Sequence, residues 1–315
     1  MIHIQYYKHN VMDKGVIEIV RTLNIIMFST ILVFASCSVV FAKSSVWKIS
    51  KGDNHLYLGG TVHVLGEQDY PLPCEYQLAY DQSEQIVFET DFSALNSPEF
   101  AQKVALQSVY PQGQSLEDKL TPKTFQLLNE YLNSRGIPFQ SVAQLKPGML
   151  LSVITLVELQ RLNISAKGVD QFYANLATTD KKPLGQLETP KQQIELIVNL
   201  GENNEEKFIQ YLLESMSKFE QSFSEIKQAW RDGELSKLSG ASEMDKIRTD
   251  FPRLFNDLFT ERNNAWMPQI ETMLENKEVE YVLVGALHLV EQEGLLAQLK
   301  ETGFTLQQLS GCSAL

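Results

Sequence analysis

A chain of 315 residues with 43% apolar and 21% charged residues is long enough to bury a large core and too apolar to be disordered. Its net charge of −12, from 27 Lys and Arg against 39 Asp and Glu, repels phosphate backbones and anionic lipid. The sign argues against nucleic acid as a partner, and a membrane enters only through the N-terminal segment.

That segment has a signal pattern. Lys8, Lys14 and Arg21 precede an apolar run from about Ile25 to Phe41, which ends in Val40-Phe41-Ala42. A secretory signal (residues 1–42) cleaved after Ala42 is expected, leaving a single domain over 43–315 in the periplasm or outside the cell. An uncleaved membrane anchor and a lipoprotein signal ending at Cys37 are the alternatives. Cys74, Cys312, His55, His63 and His288 are the cysteines and histidines that remain. An oxidising compartment favours a Cys74–Cys312 disulfide over two unpaired thiols.

Val46–Ser50 and His55–Thr61 read as strands joined by Lys51-Gly52-Asp53-Asn54, a hairpin turn. After the breaker Tyr70-Pro71-Leu72-Pro73, a helix spans about Cys74 to Asp81, and Gln85 to Asp91 is a strand that turns acidic at its end. The block from about 97 to 274 is mostly helical. Its segments include Leu116–Leu132, Gly148–Leu162, one long helix over Asn203–Trp230 and a last one over Phe251–Leu274. A short strand at Lys182–Leu187 ends at Glu188, and Thr189-Pro190 opens a helix as N-cap and first-turn proline. Gly233 to Glu243 reads as a flexible loop. Strand Val279–Val284, helix Glu293–Glu301 and strand Phe304–Leu309 follow, with Gly303 stopping the helix.

The two ends share a layout: a strand, Gly-x-x-His, a helix, a strand. Gly60-Thr61-Val62-His63 fills the junction in the first unit and Gly285-Ala286-Leu287-His288 in the second. The expected fold is α/β, a central parallel or mixed sheet built from both units, with the helical block inserted between them.

One Gly-x-x-His carries little information. Two at the ends of apolar strands direct two imidazoles over the C-terminal edge of a sheet, where α/β proteins place their sites. Imidazole is both a common metal ligand and a common general base; satisfied core histidines are the alternative. Glu89 and Asp91 fall on one face if their strand persists, and Glu188 closes another strand; such carboxylates need partners if buried. Arg262 and Asn263 lie on the helix leading into the second unit, where an arginine can hold a carboxylate or an oxyanion.

Leu58-Gly59-Gly60-Thr61-Val62-His63, Tyr70-Pro71-Leu72-Pro73 and Phe88-Glu89 resemble the N-terminal signature of the TraB/GumN family, which includes the animal Tiki proteins. Glu261-Arg262-Asn263 and Val284-Gly285-Ala286-Leu287-His288 resemble its C-terminal signature, and Pro111-Gln112-Gly113, Gly168-Val169-Asp170 and Leu187-Glu188-Thr189-Pro190 fit between them. The resemblance implies a metal-dependent peptidase using His63, His288, Glu89 and Arg262. Leu287 and Glu291 depart from the pattern, since relatives often have Gly there.

The expected chemistry is hydrolysis of a peptide or protein substrate. His63, His288 and Glu89 would hold one divalent cation (manganese, cobalt or zinc), Glu89 or Asp91 would act as base, and Arg262 would stabilise the oxyanion. Gly60, Gly285, Glu188 and Asn263 would complete the pocket. The rival readings are a binding or sequestering protein for a peptide, metal or haem, and a metal-independent esterase with one histidine as base.

Overall fold

The structure is a computed structural model that describes residues 43–95, 97–164 and 167–311. The signal or anchor segment, residues 1–42, and Cys312 lie outside the described residues. Among those described, no helix is long and apolar enough to cross a membrane.

The expected α/β architecture is present. Strands β1 (Lys43–Lys51), β2 (Asn54–Thr61), β3 (Gln85–Phe88), β4 (Leu184–Gln186), β5 (Glu280–Gly285) and β6 (Thr305–Ser310) form one mixed sheet in the order β4-β3-β5-β2-β1-β6. β4, β3, β5 and β2 run parallel, while β1 is antiparallel to both β2 and β6.

Both faces of the sheet are covered, which explains the unbroken apolar run of β5. Tyr281 and Leu283 join one core cluster with Tyr76, Tyr173 and Trp230. Val282 and Val284 join another with Trp266, Ile270, Leu295 and Leu299. The first face is closed by helices α1 (Cys74–Gln82), α4 (Val169–Asp180) and α7 (Phe219–Arg231); the second by α9 (Glu261–Met273) and α10 (Leu295–Glu301).

The inserted block has its own core, in which Leu128 and Leu132 of α2 (Pro122–Ser134) and Leu150 and Ile154 of α3 (Pro147–Arg161) meet Phe208, Ile209 and Leu212 of α6 (Glu205–Ser217). Helix α5 (Pro190–Asn199) begins as its residues predict: Thr189 Oγ1 accepts from Gln192 N in a capping box, with Pro190 in the first turn.

Three expectations are corrected. The acidic strand stops at Phe88, so Glu89 and Asp91 share no strand face. The long helix over 203–230 is broken at Lys218, between α6 and α7. The loop at 233–243 is instead helix α8 (Leu235–Ala241), because Leu235 and Leu238 pack into the core beneath it.

Candidate active site

All four parallel strands end at the same edge, and each delivers one member of the site. Beyond β2 comes His63; beyond β3, Glu89; beyond β4, Glu188. After β5 a turn of 3-10 helix (Ala286–Leu289) carries His288. Thr61 pairs with Gly285 in register, so the two Gly-x-x-His loops leave neighbouring strands side by side.

The glycines permit this contact. A β-carbon on Gly60 would stand 2.9 Å from Leu289 Cδ1 and 3.0 Å from Ala286 Cβ, so the second loop packs directly on the end of β2. A β-carbon on Gly285 would lie 3.2 Å from Glu89 Oε1, 3.6 Å from His63 Nε2 and 3.6 Å from His288 Cδ2. Both imidazoles therefore reach the same point, which a side chain at 285 would fill.

His63 is fixed from behind. Its Nδ1–H donates to Asp170 Oδ2 at 2.8 Å, and Asp170, in the first turn of α4, is buried. That helix docks on the loop itself, with Val169 N donating to Val62 O at 3.1 Å. The His63 side chain stays 61% exposed, leaving Nε2 accessible. The charge of the buried Asp170 pushes His63 up to about 9, against the opposing effects of partial desolvation and the Arg262 charge.

Glu89, Glu188, Arg262 and His288 form a second, buried network. Arg262 binds Glu188 bidentately, Nε to Oε2 at 3.0 Å and Nη2 to Oε1 at 2.8 Å, and Nη2 also donates to Glu89 Oε2 at 2.6 Å. Nη1 donates to Leu258 O at 3.2 Å and meets His288 Nε2 at 2.8 Å, so all five guanidinium N–H groups are engaged. Because arginine only donates, His288 Nε2 accepts; its Nδ1–H then donates to Asn263 Oδ1 at 2.7 Å. Glu89 further accepts from Gly285 N at 2.6 Å and from Gln193 Nε2 at 3.2 Å.

Burial alone would raise the Glu89 carboxyl, but the charges of His288, Arg262 and His63 and the Gly285 N–H outweigh it and hold Glu89 down at about 2. Burial does the opposite service for His288, whose ring lies against Trp266 and Phe259: it falls to about 3, more than Glu89 can restore. At neutral pH Glu89 is ionised and His288 neutral, while His63 is the protonated, exposed member.

The model of the TraB/PrgY/gumN family matches residues 45–308, which include every residue of this network. The chain belongs to the TraB/PrgY/gumN family. It is similar to the Uncharacterized protein YbaP of Escherichia coli (strain K12), 24% identical over 249 residues that cover 79% of this chain and 88% of YbaP. It is similar to the same extent to the Uncharacterized protein YbaP of Shigella flexneri. No solved structure matches the chain.

In this TraB/PrgY/gumN member the residues expected at the site mostly come together: His63, His288, Glu89, Glu188, Arg262, Asn263, Gly60 and Gly285. Asp91 does not join them. Its Oδ1 accepts from Ser93 N at 2.8 Å and Ser93 Oγ at 2.7 Å, opening the short helix Phe92–Leu95, and its carboxyl borders a different cavity with Thr90 and Gln186. The role of base assigned to Asp91 is therefore corrected, because the strand that would have aligned it with Glu89 has ended. Cys74 is disulfide-bonded. Asp170 and Gln193 are the partners that the residue pattern did not single out; Gly168-Val169-Asp170 at a helix start was the available signal for the first. The departure at Glu291 has a structural account: it sits at φ +67°, a conformation that favours glycine, and its carboxylate is held by Ser239 Oγ and by Arg248 Nη2 at 3.6 Å.

The donor chemistry suits a borderline divalent cation: two imidazoles with Nδ1–H fixed by an oxygen, the His63 Nε2 and the His288 Cδ2 edge near one point, beside an ionised carboxylate. The spacing is not that of a closed ligand set. Among the described residues no group of three or more His, Cys, Asp or Glu side chains stands ready to hold a metal ion, and Arg262 takes the His288 Nε2.

Proposed function

We propose that this protein is a hydrolase whose reacting centre lies between His63 and His288, and that it cleaves peptides with a divalent cation (manganese, cobalt or zinc) held by His63, His288 and Glu89. The observation that supports this reading is the approach of both imidazoles and Glu89 to one point over Gly285, each ring oriented from behind by an oxygen acceptor. Such an ion supplies Lewis acidity toward a carbonyl oxygen.

The protein's own groups divide the remaining work. Asp170 fixes the His63 tautomer, so Nε2 is the atom that accepts a proton or binds the cation, and either role requires that atom to be unprotonated. Glu89, held at about 2, is a weak base and serves to anchor Arg262 and the Gly285 N–H. Arg262 has no spare donor while Nη1 meets His288; once Nε2 of His288 is engaged otherwise, that N–H is released toward an oxyanion at the same place.

Incubation of the purified protein with a peptide library, analysed by mass spectrometry, tests this reading. Defined cleavages that vanish with chelator and return with one of the three cations are expected. No cleavage under any of these conditions would refute it. The contact of Arg262 with His288 Nε2 favours one alternative, an esterase in which His63 alone is the base; hydrolysis of ester substrates that survives chelation would establish that reading instead.

A further inference from the structure

Beside the network lies a cavity of about 440 Å³ that the proposed chemistry does not use. That volume falls in the roughly 300–1,000 Å³ range of pockets that bind small ligands or side chains. It is bounded by α5, by α9 and by the helical turns that precede α9, and it shares Glu188, Arg262 and Trp266 with the site. An occupant of the cavity is therefore delivered directly to Arg262.

The wall is partly apolar and partly anionic. Leu187, Leu196, Leu254, Leu258, Ala265 and Trp266 line it. Trp266 is buried, with the Arg262 guanidinium 4.6 Å from its ring centroid, and joins the apolar wall to the network. Three further carboxylates, Glu195, Asp257 and Glu261, border the same space.

Those carboxylates are not neutralised from inside. Among the described residues that line the wall Arg262 is the one cation, and its charge is spent on Glu188 and Glu89. Lys191, 3.5 Å from Glu195, and Arg253, 3.8 Å from Asp257, are 82% and 91% exposed, so these pairs are weak. Glu261 accepts from a neutral donor, Asn256 Nδ2, at 2.8 Å. The chain as a whole, at −12, adds to the attraction for a cation.

We propose that this cavity is a substrate subsite that takes an apolar side chain with a lysine or arginine next to it, making basic peptides the preferred class. The subsite deepens the peptidase reading and rests on it for its consequence in turnover, but binding can be measured without turnover.

Two fluorescein-labelled octapeptides, identical except for a central Leu-Arg or Leu-Gln, are titrated by anisotropy against the full chain carrying His63→Ala, which prevents cleavage. The Leu-Arg peptide is expected to bind about tenfold tighter at low salt, an advantage that shrinks at about 0.5 M salt. Glu195→Gln with Glu261→Gln should remove most of the preference, and Ala265→Phe, which fills the apolar part, should weaken both peptides. Equal binding of the two peptides, or a preference untouched by the double variant, overturns the subsite. Preferential binding without hydrolysis by the wild-type chain upholds the subsite and refutes the peptidase reading; hydrolysis without preference does the reverse.

Discussion

Arg262 Nη1 lies 2.8 Å from His288 Nε2, and this contact joins the two halves of the site. The guanidinium holds both Glu89 and Glu188, which come from two different strand ends, and stacks 4.6 Å over the Trp266 ring. Replacement by lysine retains the charge but loses the fork that binds Glu188 through two donors. Arg262→Lys is expected to lower unfolding free energy in urea by about 2 kcal/mol, and Arg262→Gln by more, roughly 3–5 kcal/mol, because two buried carboxylates lose their counter-charge. A loss below about 0.5 kcal/mol for Arg262→Gln would show that the carboxylates do not depend on it.

The His63–Asp170 pair sets the alkaline behaviour. His63 is pushed up to about 9 chiefly by Asp170, so in the folded protein Nε2 loses its proton only as the pH approaches 9. At sub-saturating cation the catalytic rate at low substrate should therefore climb between pH 6 and 9, as the proton that competes with the ion for Nε2 leaves. Asp170→Asn removes the charge, and NMR titration of the His63 ring should show its pKa falling toward the ordinary 6.5, with the rising limb of activity moving with it. An unchanged His63 titration in Asp170→Asn would contradict the pairing.

How much of this was legible follows from where each residue sits. His63, His288 and Glu89 announce themselves because each lies just past an apolar strand, and the parallel order of β3, β5 and β2 then brings them to one edge. Asp170 lies on a helix far along the chain, and only the docking of α4 on the Val62 carbonyl brings it to His63. The residues around Asp91 look like a continuing strand, and no local signal marks the stop at Phe88. Helix α8 is hidden for a different reason: Leu-Ser-Lys-Leu-Ser-Gly-Ala has weak helix propensity, and the burial of Leu238 overrides it. The break at Lys218 is invisible because apolar residues continue at helical spacing across it, through Met216, Phe219 and Phe223.

Gly285 offers a steric test that leaves the charged groups untouched. At φ −50° the backbone there suits any residue, and the nearest atom to an added β-carbon is Glu89 Oε1 at 3.2 Å. Gly285→Ala should fold with a stability change within about 1 kcal/mol, yet place a methyl group at the point both imidazoles approach. Loss of hydrolysis with a retained cooperative melt is expected. Full activity in Gly285→Ala would mean that the chemistry takes place elsewhere.

Acid should destabilise the protein in two overlapping windows. His288 is held at about 3 when folded, so between its ordinary 6.5 and 3 the unfolded chain binds a proton that the folded one refuses, and stability falls with pH. Glu89, held at about 2, adds stability that is present above 4.5 and lost as pH falls toward 2. Urea unfolding from pH 7 to 4 should show the loss, with a slope contributed by His288 of up to roughly 1.4 kcal/mol per pH unit. His288→Gln should flatten the part between pH 6.5 and 4.5; an unchanged slope would show that His288 titrates normally.

The most direct measurement of the central claim is an equilibrium titration of the chelator-treated protein with manganese, cobalt and zinc by calorimetry, run in parallel on wild type, His63→Ala and His288→Ala. One ion per chain in the wild type, with binding abolished in both variants while their melts stay cooperative, is the predicted result. Wild-type binding that survives loss of either histidine, or no binding of any of the three ions, would contradict a single cation held between His63 and His288.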